Sequence, residues 1–120
     1  MDITTEAVRL GLDLAQVRAE IASSNIARTN IPGATLQRAD FADSLAVLGA
    51  AAKGDAEAGA RLQAISQESL RGQIEQSGIA DAASLDDQVA ELSTQGLAYR
   101  ALTDGLSRHF ALMQLAISGK

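Results

Sequence analysis

The sequence predicts an all-α chain in which long N- and C-terminal helices pair as a coiled-coil-like hairpin around a partly ordered middle. Three observations predict it. An apolar heptad pattern fills the opening residues as far as Arg28, and a second runs from Leu85 to Ile117. Composition is the third: alanine is abundant, the only aromatic residues are Phe41, Tyr99 and Phe110, and Pro32 is the one proline. That balance favours helix over sheet. The 120 residues make one domain. It divides into an N-terminal assembly helix and turn (1–35), a variable stretch of loop and short helices (36–83) and a C-terminal assembly helix (84–120).

The first helix is predicted from about Thr4 to Arg28. Ile3, Ala7, Leu10, Leu14, Val17 and Ile21 recur at alternating spacings of four and three, and Val8, Leu12, Ala15, Ala19, Ala22 and Ile26 repeat the pattern beside them. Glu6, Arg9, Asp13, Gln16, Glu20 and Ser23 form a polar stripe, read as the solvated side. Between the apolar series stands a column of Thr4, Gly11, Arg18 and Asn25. The non-solvent arc spans about 200°, twice the roughly 100° stripe of an ordinary surface helix, so this helix needs more than one packing partner. Gly11 in that column favours close helix approach. Arg18 is read as snorkelling or as bridging to a neighbouring subunit, and Asn25 as a C-terminal helix residue or a hydrogen-bond partner for another helix.

Asn30-Ile31-Pro32-Gly33 ends the helix. Proline cannot continue it and biases Ile31 toward extended backbone, and Gly33 permits positive φ at the turn. Two short helices are expected in the middle, over 40–48 and 56–75, interrupted by glycines. The Gly49-x4-Gly54 spacing matches a phosphate loop, but Asp55 stands where a lysine is needed. The last helix is predicted to start at Ser84 as N-cap, with Asp87 at N3, and to run to about Ser118. Its expected buried seam is Leu85, Val89, Leu92, Gly96, Tyr99, Thr103, Leu106, Phe110, Met113 and Ile117. Gly96 there is read as a kink or a close approach.

Several functions are excluded or disfavoured. The net charge of −5 with no basic cluster argues against nucleic acid. With no cysteine there is neither disulfide nor thiolate metal site. His109 is the only histidine and is read as structural rather than metal-binding. Asp86 and Asp87 read as helix-start residues, and no nucleophile–base pair can be assembled, so no enzyme and no cofactor are expected. No cleavable secretory signal and no membrane span is visible.

Two apolar terminal helices around a polar, glycine-bearing middle describe a subunit whose ends assemble with other chains. The motifs carry this further. Ser24-Asn25-Ile26-Ala27 followed by Pro32-Gly33, then Asp40-Phe41, then Leu97-Ala98-Tyr99, Leu106-Ser107-Arg108-His109-Phe110 and Ala116-Ile117-Ser118-Gly119 resemble the flagellar basal-body rod proteins of the short proximal, FlgB type. Arg28, Ile31 and Ala34 depart from that family's usual Asn, Thr and Tyr. The resemblance implies a structural subunit of the proximal rod, exported without a cleavable signal through the flagellar type III apparatus. Its implied partners are further copies of itself, neighbouring rod proteins and the basal-body/export-gate junction proteins. The expected assembly interface is Leu10, Leu14, Val17, Ile21, Asn25, Ile26, Pro32 and Gly33 from the front, with Leu92, Tyr99, Leu106, Phe110, Met113 and Ile117 from the back. The alternatives are an acidic helical adaptor or export chaperone in the cytoplasm, or another short rod protein of the FlgC type.

Overall fold

A computed structural model describes residues 3–79 and 82–118, with the backbone path alone for 77–79 and 82–84. The chain runs α1 (Ile3–Arg28), β1 (Thr35–Ala39), α2 (Ala42–Ala52), α3 (Ala58–Ala64), α4 (Gln67–Arg71), β2 (Ile74–Ile79) and α5 (Ala82–Ser118). The two long helices pack against each other, as the heptads predict. They run antiparallel: Asn25 near the end of α1 bonds Gln88 near the start of α5, while Gly11 lies beside Leu102. The same register brings Ile3 level with Phe110. At 1.5 Å per residue α5 is about 55 Å long, which accounts for most of the 61 Å long axis of the molecule.

α1 stops where the local chemistry says it should. Thr29 closes back on Ile26 through its backbone N–H at 3.3 Å and its hydroxyl at 2.8 Å. A turn then follows in which the Ala34 N–H donates to the Ile31 carbonyl at 3.2 Å. Pro32 and Gly33 are its central residues, and Gly33 has φ +77°, the order and sign of a type II turn.

The middle is more ordered than its sequence predicts. Residues 35–39 and 74–79 form a two-stranded antiparallel sheet, with Arg38 opposite Glu75 and Ala39 opposite Ile74. Pairing passes from Leu36–Ser77 to Thr35–Ile79, leaving Gly78 as the extra residue of a bulge. Three helices lie between the strands, in place of the expected two. α2 runs past Leu48 to Ala52 and ends in a Schellman motif: Gly54, at φ +83°, donates to Ala51, and Asp55 donates to Ala50. Gly49 is thus inside a helix and Gly54 is its cap, not parts of a phosphate loop. The expected helix over 56–75 is broken at Ile65, and Ser66 restarts the chain as α4 through a reciprocal capping box with Ser69. α5 begins at Ala82, two residues earlier than predicted. Ser84 is therefore the third helical residue and not the N-cap assigned to it, and Asp87 lies beyond N3.

The core sits between α1 and this middle unit. Leu10, Leu14, Val17 and Ile21 of α1 close over Phe41, Leu62 and Leu70, with Val47, Leu48, Ala51, Ile65 and Ile74 around them. The polar stripe of α1 is only in part the solvated face the sequence implies: Gln16, Glu20 and Ser23 are exposed, but Glu6 is buried and Arg9 and Asp13 are half-buried. Arg9 donates to Glu6 at 3.0 Å, to Asp13 at 2.6 Å and to the Leu62 carbonyl at 2.7 Å. Gln67 donates to Asp13 at 3.0 Å, and Arg71 grips Glu20 through two bonds at 2.8 and 3.1 Å. α3 and α4 therefore dock on both the apolar and the charged side of α1. The helix needs several partners, and its own chain supplies them.

Candidate assembly surface

The column of α1 that separates its two apolar series is the hinge of the arrangement. Asn25 is buried and its amide is fully used: Oδ1 accepts from the Gln37 N–H at 2.7 Å, and Nδ2 donates to the Gln37 carbonyl at 2.9 Å and to Gln88 Oε1 at 3.1 Å. One side chain thus ties α1, β1 and α5 together. Arg28 adds a second tie, its Nη1 donating to the Thr35 carbonyl and to Gln76 Oε1, both at 3.2 Å. Arg28 is a departure from the family motif, and here it clamps the end of α1 to both strands. Gln76 Oε1 also accepts from the Thr35 hydroxyl. Arg18 lies over the Phe41 ring, 5.5 Å from its centroid, a cation–π contact within the chain. Gly11 receives Leu102: a Cβ at position 11 would stand 3.1 Å from Leu102 Cδ1.

These contacts set the rotation of α5, and it is not the rotation its heptads predict. The residues turned toward α1 are Gln88, Leu92, Gln95, Leu102, Leu106 and His109, all buried or half-buried. Gln95 is the most enclosed of them and donates to Glu91 at 2.9 Å. Only Leu92 and Leu106 belong to the expected seam. Leu85, Val89, Tyr99, Phe110, Met113 and Ile117 are exposed, Phe110 by 49% and Ile117 by 85%. Gly96 is not a close approach, since nothing lies within 4 Å of the position its Cβ would take.

A groove of about 580 Å³ opens along this seam. Ala15, Gln16, Ala19, Glu20 and Ser23 of α1 form one wall; Leu92, Gln95, Gly96, Tyr99 and Arg100 of α5 form the other. Its floor is apolar and its rim carries opposite charges. On that rim the hydrogen bond from Arg71 holds the Glu20 carboxyl below its ordinary range, so it stays ionised. Beyond Phe110 every described residue of α5 is exposed, including Leu112, Met113, Leu115 and Ile117. The end of α5 is thus a run of exposed residues, most of them apolar.

The predicted interface residues therefore divide. Leu10, Leu14, Val17 and Ile21 are enclosed by the chain's own middle unit, and Asn25 is consumed by internal hydrogen bonds, so none of these is offered to another chain. Their assignment to an assembly interface is corrected to the intramolecular core and clamp. Ile26 is half-buried, and Leu92 and Leu106 border α1. Tyr99, Phe110, Met113, Ile117, Pro32 and Gly33 face outward. Sequence reasoning missed Ala15, Ala19 and Ser23 as groove residues. For Ala15 and Ala19 the signal was the small size of the second apolar series on α1, too thin to fill the space beside another helix; Ser23 belongs to the polar stripe and gave none.

The fold and this surface define a helical hairpin with a docked arm and one long helix whose apolar seam lacks a cover. Among the described residues no group of three His, Asp or Glu side chains is placed to hold a metal ion. No helix, among the described residues, is long and apolar enough to cross a membrane. Comparison with protein-family models, curated protein sequences and solved structures returns no match.

Proposed function

We propose that this chain is a structural subunit of the proximal rod of the bacterial flagellar basal body, of the FlgB type, and not an enzyme. The observation that carries the reading is the outward face of α5: Tyr99, Phe110, Met113 and Ile117 of its heptad line stay exposed, although Leu106 between them borders α1. A helix that packs Leu92, Leu102 and Leu106, with Gln88 and Gln95, on its own α1 and still carries exposed Phe110, Met113 and Ile117 is suited to packing beside helices of other chains. The front and back motifs agree with the same reading. On it, the subunit is exported without a cleavable signal, and its partners are further copies, the adjoining rod proteins and the export-gate junction. The seam of α5 does the assembling, while α1 braces it and positions the arm formed by 35–79.

The test is genetic. Phe110→Asp in the only copy leaves the core untouched, because Phe110 lies outside it, but places a charge where a neighbouring helix must close, at several kcal/mol if it is buried unpaired. The expected strain makes the protein at normal level but builds no rod and does not swim. Normal swimming would remove the rod reading.

A further inference from the structure

At Arg18 the fold leaves a charge without an acceptor. The other half-buried arginines among the described residues are both engaged. Arg9 donates to Glu6, Asp13 and the Leu62 carbonyl, and Arg28 to the Thr35 carbonyl and Gln76. Arg18 is also half-buried, with the Phe41 ring 5.5 Å from its guanidinium carbon and, among the described residues, no hydrogen bond or ion pair. A ring face attracts the cation, but the five N–H donors in the guanidinium plane still call for oxygen acceptors. Among the described residues no sealed side-chain nitrogen or oxygen lacks a partner, so the donors of Arg18 are open to an incoming group.

Arg18 lines a cavity of about 180 Å³ between α1, β1 and the start of α5. Phe41, Ile21 and Ala22 give it an apolar side, Arg38 stands on its β1 wall and Glu91 on its α5 wall. The Asn25 amide there is consumed by Gln37 and Gln88. Glu91 is the one carboxylate on the lining; it accepts from Gln95 and, among the described residues, pairs with neither arginine. Arg38 reaches Glu75 only at 4.0 Å. We infer that this cavity binds a carboxylate group on a short aliphatic chain, with Arg18 as its main partner and Arg38 as a second. The cavity shares no lining residue with the groove between α1 and α5 and none with the outward face of α5, so the inference does not rest on the assembly reading.

Charge, shape and volume select this ligand. Arg18 and Arg38 against Glu91 leave the lining with one net positive charge, which a single carboxylate neutralises. The guanidinium fork meets the two carboxylate oxygens in parallel, a match that a spherical anion such as chloride cannot make. The volume is about six times a water molecule's share of the liquid, room for a carboxylate and a chain of one or two further carbons. Ile21, Ala22 and Phe41 receive that chain. A free short-chain acid and the side chain of an aspartate or glutamate present the same group, so they are two sources of one chemistry.

The test is a titration of the full chain with sodium propionate, with ionic strength held constant by sodium chloride, followed by nuclear magnetic resonance at the Arg18 Nε–H and the Phe41 ring protons. Saturable shifts at both sites are expected, with a Kd in the millimolar range. Arg18→Lys keeps the charge but not the fork, and it should weaken binding at least about 10-fold; circular dichroism checks that it folds. Glu91→Gln, at an exposed position of α5, removes the opposing charge and should tighten binding severalfold, a gain that a purely structural residue would not give. Arg100→Gln, outside the cavity, should bind as the parent does. A blocked glutamate, N-acetylglutamate N-methylamide, separates the two sources. Saturation by it as well as by propionate means that the cavity admits an acidic side chain, and saturation by propionate alone means that it encloses a free acid. Shifts that do not saturate, shifts that chloride reproduces, or binding that Arg18→Lys leaves intact or Glu91→Gln fails to tighten would overturn the inference.

Discussion

Removing the Asn25 side chain gives the sharpest test of how the three parts of the molecule are held together. Asn25→Ala deletes one acceptor and two donated hydrogen bonds at 2.7, 2.9 and 3.1 Å. The loss falls on groups that have been partly removed from water, chiefly the Gln37 N–H and carbonyl at the outer edge of β1. Orphaning a buried polar group costs about 1–3 kcal/mol. Gln37 is only half-buried and water recovers part of that loss. A destabilisation of about 2–4 kcal/mol is therefore expected, with a small cavity contributing. With a urea m-value of about 1–3 kcal/mol/M for a small domain, the midpoint should fall by roughly 1–2 M. Asn25→Asp separates the two halves of the clamp. It keeps an acceptor for the Gln37 N–H but turns a carboxylate oxygen toward the Gln37 carbonyl and Gln88 Oε1, so it should rescue little. The assays are urea unfolding followed by circular dichroism and amide exchange at Gln37. A change below about 0.5 kcal/mol with unaltered protection at Gln37 would refute the claim that this side chain joins α1, β1 and α5.

Two further outcomes follow from the geometry. Gly33 sits at φ +77° with open space around it, so Gly33→Val should lower stability by about 1–2 kcal/mol through backbone strain alone. Gly49, inside α2 and equally unobstructed, should instead gain about 0.5–1 kcal/mol as alanine; thermal melts that move both variants in one direction would contradict this account. The Glu20–Arg71 pair, both partners exposed, contributes only weakly to stability. Because the folded carboxyl titrates below its ordinary 4.5, that contribution is present at neutral pH and disappears as pH falls through the lowered value. The stability gap between the parent and Glu20→Gln should therefore narrow in acid and shrink with added salt, and a gap independent of pH would refute it.

The same pair of helices shows how far local pattern reaches. The extents of α1 and α5 are legible because helical periodicity is carried by residues three and four apart, which are neighbours on the helix surface whatever surrounds them. The turn is legible for the same reason: proline and glycine impose their φ restrictions locally, and Gly33 adopts the positive φ expected of it. The capping box at Ser66 and the Schellman motif at Gly54 use local chemistry of the same kind. Their short helices were blurred by glycines that carry no periodic signal of their own.

Which partner covers which face is a different kind of question. Two apolar series on α1 compete for the middle unit and for α5, and either assignment satisfies the heptad pattern. The choice is made by contacts between distant residues: the slot at Gly11 that admits Leu102, and the Asn25 amide that reaches Gln88. Those two points rotate α5 so that glutamines face inward and Phe110, Met113 and Ile117 face out. The strands at 35–39 and 74–79 have neither alternation nor β-branched residues enough to declare themselves. Contacts from α1 hold them in place: Asn25 bonds the β1 backbone at Gln37, and Arg28 bonds it at Thr35 and reaches the Gln76 side chain on β2. By itself, then, the sequence determined where helices run and where the chain must turn. Only the tertiary structure decided which apolar line is core and which is left open, because that depends on shape and hydrogen-bond matches between segments far apart in the chain.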